Sequence, residues 1–390
     1  MRRFVLFSLL SIAAVRAIAQ DALCLLPYIT APSGSTIPYL FNNYGPSFPA
    51  FGTFTYIQQT AGSASVSNGP VRTTGASAFT GATLCNNGRV IFSPYSSSAP
   101  GIFNPADGSY SNAPTHGAGS TAFSGGVLMA DGRVCFVPYA ATKIVVYNPA
   151  DNTCSNGPTH GVSGSSLWSG GVLLADGRVC FVPYGQVRVG VFDPISNTYS
   201  NGPSKPDSAG NTHWGGVLLS DGKVAMMPGN AGNVGILDPV ANTWTTGSVT
   251  DTSRSIYWSG GVLMANGKVC IVPSLSPNIG LYDPVANTFT NGPAHGEASS
   301  AFRGGVLLPD GRVCLVPYGS LYVGIYDPAA NSYTRGPARL LCSTAYRGGC
   351  LSPDGRVVFA PYTCTTNAAF SCGFAPVSSS TVLHPMINHY

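Results

Sequence analysis

Charge is the scarcest ingredient of this chain. Asp, Glu, Lys and Arg make up only 9% of its 390 residues. A surface so poor in charge lacks the basic footprint that nucleic-acid binding needs. The formal net charge is +4, and without Arg2, Arg3 and Arg16 it falls to +1, with 16 basic residues against 15 acidic. No nucleic-acid partner is expected. No Cys-x-x-Cys pair occurs among the 11 cysteines, so no zinc site is expected. No Asn-x-Ser/Thr sequon occurs either, which leaves N-glycosylation without an acceptor. Beyond the first residues no apolar run is long enough to cross a bilayer, and no helical periodicity is visible.

What is present begins with a leader. Arg2 and Arg3 precede an apolar run from Phe4 to Val15, and Ala17-Ile18-Ala19 is a small-x-small cleavage signal. Residues 1–19 therefore read as a signal peptide, and the remainder as a secreted protein: an N-terminal extension over 20–50 and one domain over 51–390. Gly (48) and Pro (31) are abundant, but 44% apolar content supplies a core, so they mark turns and not disorder.

Their arrangement is periodic. A turn glycine, a basic residue, a valine and, six positions after the glycine, a proline recur at Gly88, Gly132, Gly177, Gly222, Gly267, Gly311 and Gly355, spaced 44 or 45 residues apart. Seven such units without helical pattern predict an all-β fold, a single seven-bladed β-propeller with four antiparallel strands per blade. In the third unit the strands are expected over 170–174, 178–182, 187–192 and 198–200, with Asp176-Gly177 as a two-residue hairpin turn. The seventh unit lacks a clear outer pair. Residues 55–70 read as an orphan outer pair ending in Asn68-Gly69-Pro70, so N-terminal outer strands are expected to close the ring, with 381–385 as the third strand of that blade.

The run Gly-Gly-Val-Leu-Leu-Pro-Asp-Gly-Arg-Val (304–313), followed by Ile325-Tyr-Asp-Pro-Ala-Ala-Asn-Ser-Tyr-Thr, resembles the kelch repeat. The likeness is to the form found in the propeller domain of galactose and glyoxal oxidases, and it covers residues 81 to about 361. One departure is consistent: kelch repeats end the second strand in a glycine pair, whereas five units here end it in Pro-Tyr. The resemblance implies the propeller and no particular activity. The oxidases' copper ligands and downstream domain have no counterpart in this sequence, so no cofactor is expected.

The polar residues are mostly blade construction. Eleven of the 15 carboxylates sit in Asp-Gly turns or Asp-Pro-type hairpins, which leaves Asp21, Asp207, Asp251 and Glu297. His116, His160 and His295 share one place in the repeat. A metal-assisted lyase built on His295, Glu297 and Asp251 is the alternative reading, with the histidine as base beside a carboxylate-held cation. Cys135, Cys180, Cys270 and Cys314 alternate with Ile91, Ala225 and Val358, so they are expected as buried thiols. Cys364 and Cys372, bracketing a short loop, are the disulfide candidate, with Cys342–Cys350 or a Cys24 pairing as weaker ones; Cys85 and Cys154 are unassigned.

Two aromatic series remain. Phe79, Phe123, Trp168, Trp258, Phe302 and Tyr346, with His213 in the seventh place, open the inner strands. The Pro-Tyr tyrosines Tyr95, Tyr139, Tyr184, Tyr318 and Tyr362 end the second strands. Hairpin geometry puts both at one end of each blade, so both are expected to border one mouth, where they would stack on a sugar or anchor a protein. The residues singled out for binding are His213, Trp214, Arg254, Tyr257, Trp258, Arg303, Arg347, Tyr139, Tyr184 and Tyr318. The leading expectation is a secreted, non-enzymatic binding or structural module for a protein or glycan partner.

Overall fold

The computed structural model describes residues 63–72, 75–206, 210, 212–250, 258–340 and 342–372. The expected leader over 1–19, the expected extension over 20–50, residues 381–385, Asp207 and the candidates Asp251, Arg254 and Tyr257 lie outside the described residues. Within them the chain forms 28 strands and no helix, arranged as seven four-stranded antiparallel sheets. This is a seven-bladed β-propeller.

Each blade follows the third. Its inner strand is Trp168–Leu173, its second strand Val179–Pro183, its third Arg188–Asp193 and its outer strand Thr198–Ser204. The outer strand thus runs through Asn201-Gly202-Pro203 instead of stopping at Ser200, because a register shift between Arg188 and Gly190 lets it continue pairing. A second shift lies in the inner pair, between Trp168 and Gly171. Gly170 supplies the positive φ of +80° there, and a Cβ on Gly171 would come within 2.8 Å of Val127 and Val137 of the preceding blade. The Gly-Gly pair therefore serves a bulge with its first member and close blade packing with its second.

The ring closes with a single N-terminal strand. Ser65–Val71 pairs antiparallel with Thr366–Ser371, giving the sheet order Ser65–Val71, Thr366–Ser371, Val357–Pro361, Tyr346–Leu351. The expectation of a third strand from 381–385 is corrected: Thr366–Ser371 fills that place, so the closing blade takes three strands from the C-terminal side and one from the N-terminal side. The disulfide is corrected as well. It joins Cys342 to Cys364, with Cα atoms 5.6 Å apart, and not Cys364 to Cys372. Loop-bracketing in sequence misleads here because 366–371 between Cys364 and Cys372 is an extended strand, which carries the two cysteines apart.

The aromatics that open the inner strands do not reach the mouth. Phe79, Phe123, His213, Trp258, Phe302 and Tyr346 are fully buried and Trp168 is 1% exposed. Trp258 packs among Val217, Met227 and Val234 of blade 4 and Ile271 and Tyr282 of its own blade. In five blades room for the ring comes from a glycine in the third strand, whereas blades 2 and 7 have Val145 and Ala368 there; a Cβ on Gly280 would lie 2.9 Å from Trp258 and 3.0 Å from Ile271. Gly280→Val is accordingly expected to cost about 1–3 kcal/mol by overpacking, read as a lowered denaturant midpoint; an unchanged midpoint would show that the blade repacks freely.

Candidate functional site

Side chains alternate across a strand. If the first residue of each inner strand points between blades, the second points to the axis. Those second residues are Thr80, Ser124, Ser169 and Ser259 in four blades, but Trp214, Arg303 and Arg347 in blades 4, 6 and 7. The hydroxyls are buried, with Ser124 and Ser169 Oγ 3.1 Å apart and Thr80 Oγ1 donating to the Phe123 carbonyl at 3.0 Å. The three large departures meet over the axis, where they join the Pro-Tyr tyrosines.

The result is an arc of six aromatic rings that Arg303 closes into a circle. Ring centroids are 5.6 Å apart for Tyr95–Tyr139, 6.0 Å for Tyr139–Tyr184, 5.2 Å for Tyr184–Trp214, 5.9 Å for Tyr318–Tyr362 and 6.1 Å for Tyr362–Tyr95. Blades 4 and 5 have Gly229 and Ser274 where the others have tyrosine. Trp214 fills the first gap. Arg303 bridges the second, its guanidinium carbon 4.4 Å from the Trp214 centroid and 4.4 Å from that of Tyr318. Arg347 crosses the centre, 5.0 Å from Trp214, 5.5 Å from Tyr95 and 5.4 Å from Tyr362. Such cation–π contacts contribute about 0.5–2 kcal/mol each.

The circle is a floor, not an open channel. Trp214, Tyr184 and Arg347 are buried, whereas Tyr95, Tyr139, Tyr318, Tyr362 and Arg303 are half-buried. Arg347 and Arg303 are held differently. Arg303 makes no ion pair or hydrogen bond among the described residues, and its Nε is buried without an acceptor. An unsatisfied buried donor costs about 1–3 kcal/mol; of the twelve buried side-chain atoms without a hydrogen-bond partner among the described residues, this is the one that belongs to an arginine or lysine.

The remaining candidates are structural in their surroundings. His213 is fully buried against Trp244, centroids 5.1 Å apart, with Nδ1 3.0 Å from Thr212 Oγ1. Burial, reinforced by Lys205, holds its pKa down at about 3. Neither His213 nor Trp258 presents surface at the mouth. His295 Nε2 donates to the Ser276 carbonyl at 2.7 Å and its Nδ1 accepts the Glu297 N–H at 3.1 Å. His116 and His160 make the same pair of bonds in blades 1 and 2. In blade 6 Arg339 Nε donates to the Ser320 carbonyl at 2.6 Å, and in blade 7 Arg72 Nε donates to that of Cys364 at 2.7 Å. The position is a clamp between the outer strand's exit and the turn after the second strand. Sequence shows the histidine period but not that the arginines share the role.

Glu297 is also engaged. Arg335 Nε donates to its Oε1 at 2.6 Å, Tyr333 Oη at 3.2 Å, and Ser320 Oγ to its Oε2 at 3.0 Å. No group of three His, Cys, Asp or Glu side chains suited to a metal ion occurs among the described residues.

The two ends of the propeller differ in charge. Every described carboxylate except Glu297 lies at the hairpin-turn end, where ion pairs such as Arg133–Asp131 at 2.6 Å and Arg356–Asp354 at 2.5 Å form beside the turns. There Arg133, Arg178 and Arg356 also reach the carbonyls of Pro194, Pro239 and Pro105 in the next blade, at 3.5, 3.4 and 3.2 Å. The mouth end instead carries Arg72, Lys143, Arg188, Lys205, Arg303, Arg339 and Arg347.

No protein-family model matches the chain, and no curated protein matches it. Among solved structures it is similar to selenomethionine-substituted virginiamycin B lyase from Staphylococcus aureus, with TM-score 0.68 and 15% identity over 79% of this chain and 99% of that one. A streptogramin B lyase structure gives 0.64 and 14%, over 79% and 97%. A fungal alcohol oxidase of the AA5 family, in complex with copper, gives 0.60 and 14%, over 82% and 79%. Likeness at such identities shows the shared propeller fold and nothing of its chemistry.

Proposed function

We propose that the protein is an exported, kelch-type propeller that works as a binding module, taking a glycan or protein partner on the aromatic floor of its mouth. The observation that carries this reading is the circle of six aromatic rings bridged by Arg303 and Arg347. Rings packed tilted or edge-on against one another are held in place before a ligand arrives, so binding to them costs little entropy. The leader over 1–19 and the Cys342–Cys364 bond both suit an oxidising compartment outside the cytosol. A non-catalytic role is favoured by the histidines: the ring nitrogens of His116, His160 and His295 are committed to backbone partners, which leaves none of them a lone pair for proton transfer.

Glycan-array retention tests it. Tyr139→Ala and Tyr318→Ala are each expected to weaken the retained ligand about tenfold or more, on the scale of one lost aromatic stacking contact, without lowering the melting temperature by more than a few degrees. Retention unchanged in both variants sinks the reading. So does metal-dependent turnover of a lyase substrate that disappears on Glu297→Gln.

A further inference from the structure

Arg303 is the departure that blade construction leaves unexplained. At its place in the repeat, blades 2, 3 and 5 carry Ser124, Ser169 and Ser259. A serine there would make five of the seven axial positions hydroxyls, and the strand itself requires no cation at that place. Its guanidinium instead lies 4.4 Å from both the Trp214 and Tyr318 centroids, makes no hydrogen bond among the described residues, and keeps a buried Nε–H without an acceptor. Rings packed on a guanidinium occupy its faces and fix its plane. The N–H donors then remain in that plane, directed and pre-organised, and their best partner is a planar or tetrahedral oxyanion.

We infer that the mouth is specific for acidic carbohydrate, with Arg303 receiving a carboxylate or sulfate while the tyrosines of the floor stack on the sugar ring that bears it. The inference rests on the reading of the mouth as a binding site and adds the ligand's chemical class. The charge layout of the described residues agrees with it. Eleven of the described carboxylates lie at the far end, and Glu297, at the mouth end, is bonded to Arg335. An anionic chain approaching the mouth therefore meets an end of positive balance, where Lys143, Arg188 and Arg303 keep surface while Arg72, Lys205, Arg339 and Arg347 are buried.

The experiment uses the mature protein and two matched ligand pairs: hexagalacturonate against its full methyl ester, and a sulfated dextran hexasaccharide against the unsulfated one. Titration calorimetry is expected to show the charged member of one pair binding about tenfold or more tightly than its neutral twin, the worth of one charge-assisted hydrogen bond. The pair that shows the difference identifies carboxylate or sulfate as the group received. Added salt weakens that preference. Arg303→Ser, which restores the residue of three other blades, removes the preference while lowering the melting temperature by no more than a few degrees; Arg303→Lys, which keeps the charge without the fork, restores only part of the preference. Equal affinity for both members of each pair, with binding still lost on Tyr139→Ala, overturns the acidic-ligand inference and leaves the binding module standing. A charge preference that survives Arg303→Ser overturns the assignment to Arg303. No binding of any of the four, while a protein partner is retained at the mouth, also overturns the inference.

Discussion

Replacing Cys342 and Cys364 by serine is expected to lower stability by roughly 3 kcal/mol. The bond closes a loop of 22 residues, and the loss of loop-closure entropy from the unfolded chain for that length is about 3 kcal/mol. For a propeller of this size that corresponds to a melting temperature about 5 °C lower. The position of the bond sharpens the prediction. Cys342 lies in the loop leading into blade 7, and Cys364 in the turn between that blade's second and third strands. The Cys364 carbonyl accepts from Arg72 Nε, which follows the N-terminal strand, while Arg339 donates to the Cys342 carbonyl at 2.9 Å. The disulfide thus fixes the turn on which the closing strand docks. Hydrogen exchange should accelerate first in 65–71 and 366–371, the two strands that join the ends of the ring. A double-serine protein with unchanged melting temperature and unchanged exchange in those strands would sink the idea. Peptide mapping without reductant must first find Cys342 joined to Cys364 in the wild type; Cys364 joined to Cys372 would do the same damage.

Acid should destabilise the protein well before its carboxylates titrate. His213 has a folded pKa of about 3, set first by burial and then by Lys205, below the unfolded value of 6.5. Below pH 6.5 the unfolded chain therefore binds a proton that the folded chain refuses. Its contribution to stability is complete above pH 6.5 and is lost as the pH falls toward 3, at up to about 1.4 kcal/mol per pH unit. Between pH 6.5 and about pH 4.5 the loss is on the order of 2 kcal/mol. Burial also lowers His116 and His160, so they add to the same slope with the same sign. His213→Phe, which installs the residue found at this place in blades 1, 2 and 6, removes the steepest component. Chemical denaturation across that window should show the variant losing markedly less stability than the wild type. Parallel curves for the two proteins would mean that His213 is not held neutral by the fold.

Much of this architecture was legible in the sequence. The 44- or 45-residue period predicted seven blades, and the Asp-Gly and Asp-Pro signals placed the hairpins, because turn backbone demands particular residues whatever surrounds them. Closure by the N-terminal segment was legible for a related reason: a blade without an outer strand leaves an edge that some other segment must cover. The strand that would complete the third place was not. Residues 366–371 carry no copy of the repeat's third-strand phrase, and Ala368 stands where five of the other six blades use glycine, so only the pairing register reveals them.

The candidate site divides in the same way. Trp214, Arg303 and Arg347 could be picked out as departures from a repeat, since a residue that breaks a seven-fold pattern needs a reason of its own. Their meeting could not, because they sit on blades 4, 6 and 7, and contact across a ring axis leaves no trace in sequence spacing. His213 and Trp258 show the opposite outcome. They looked equivalent to mouth residues because they share an end of the blade with the tyrosines, yet alternation along the strand turns them between the blades, one residue away from the axis. By itself the sequence determined the number of blades, the turns and the short roster of irregular residues, all of which depend on local backbone chemistry and period. Tertiary structure alone decided which of those residues face one another, which cysteines bond, and which cation was left without an acceptor, since these depend on distances closed by the ring.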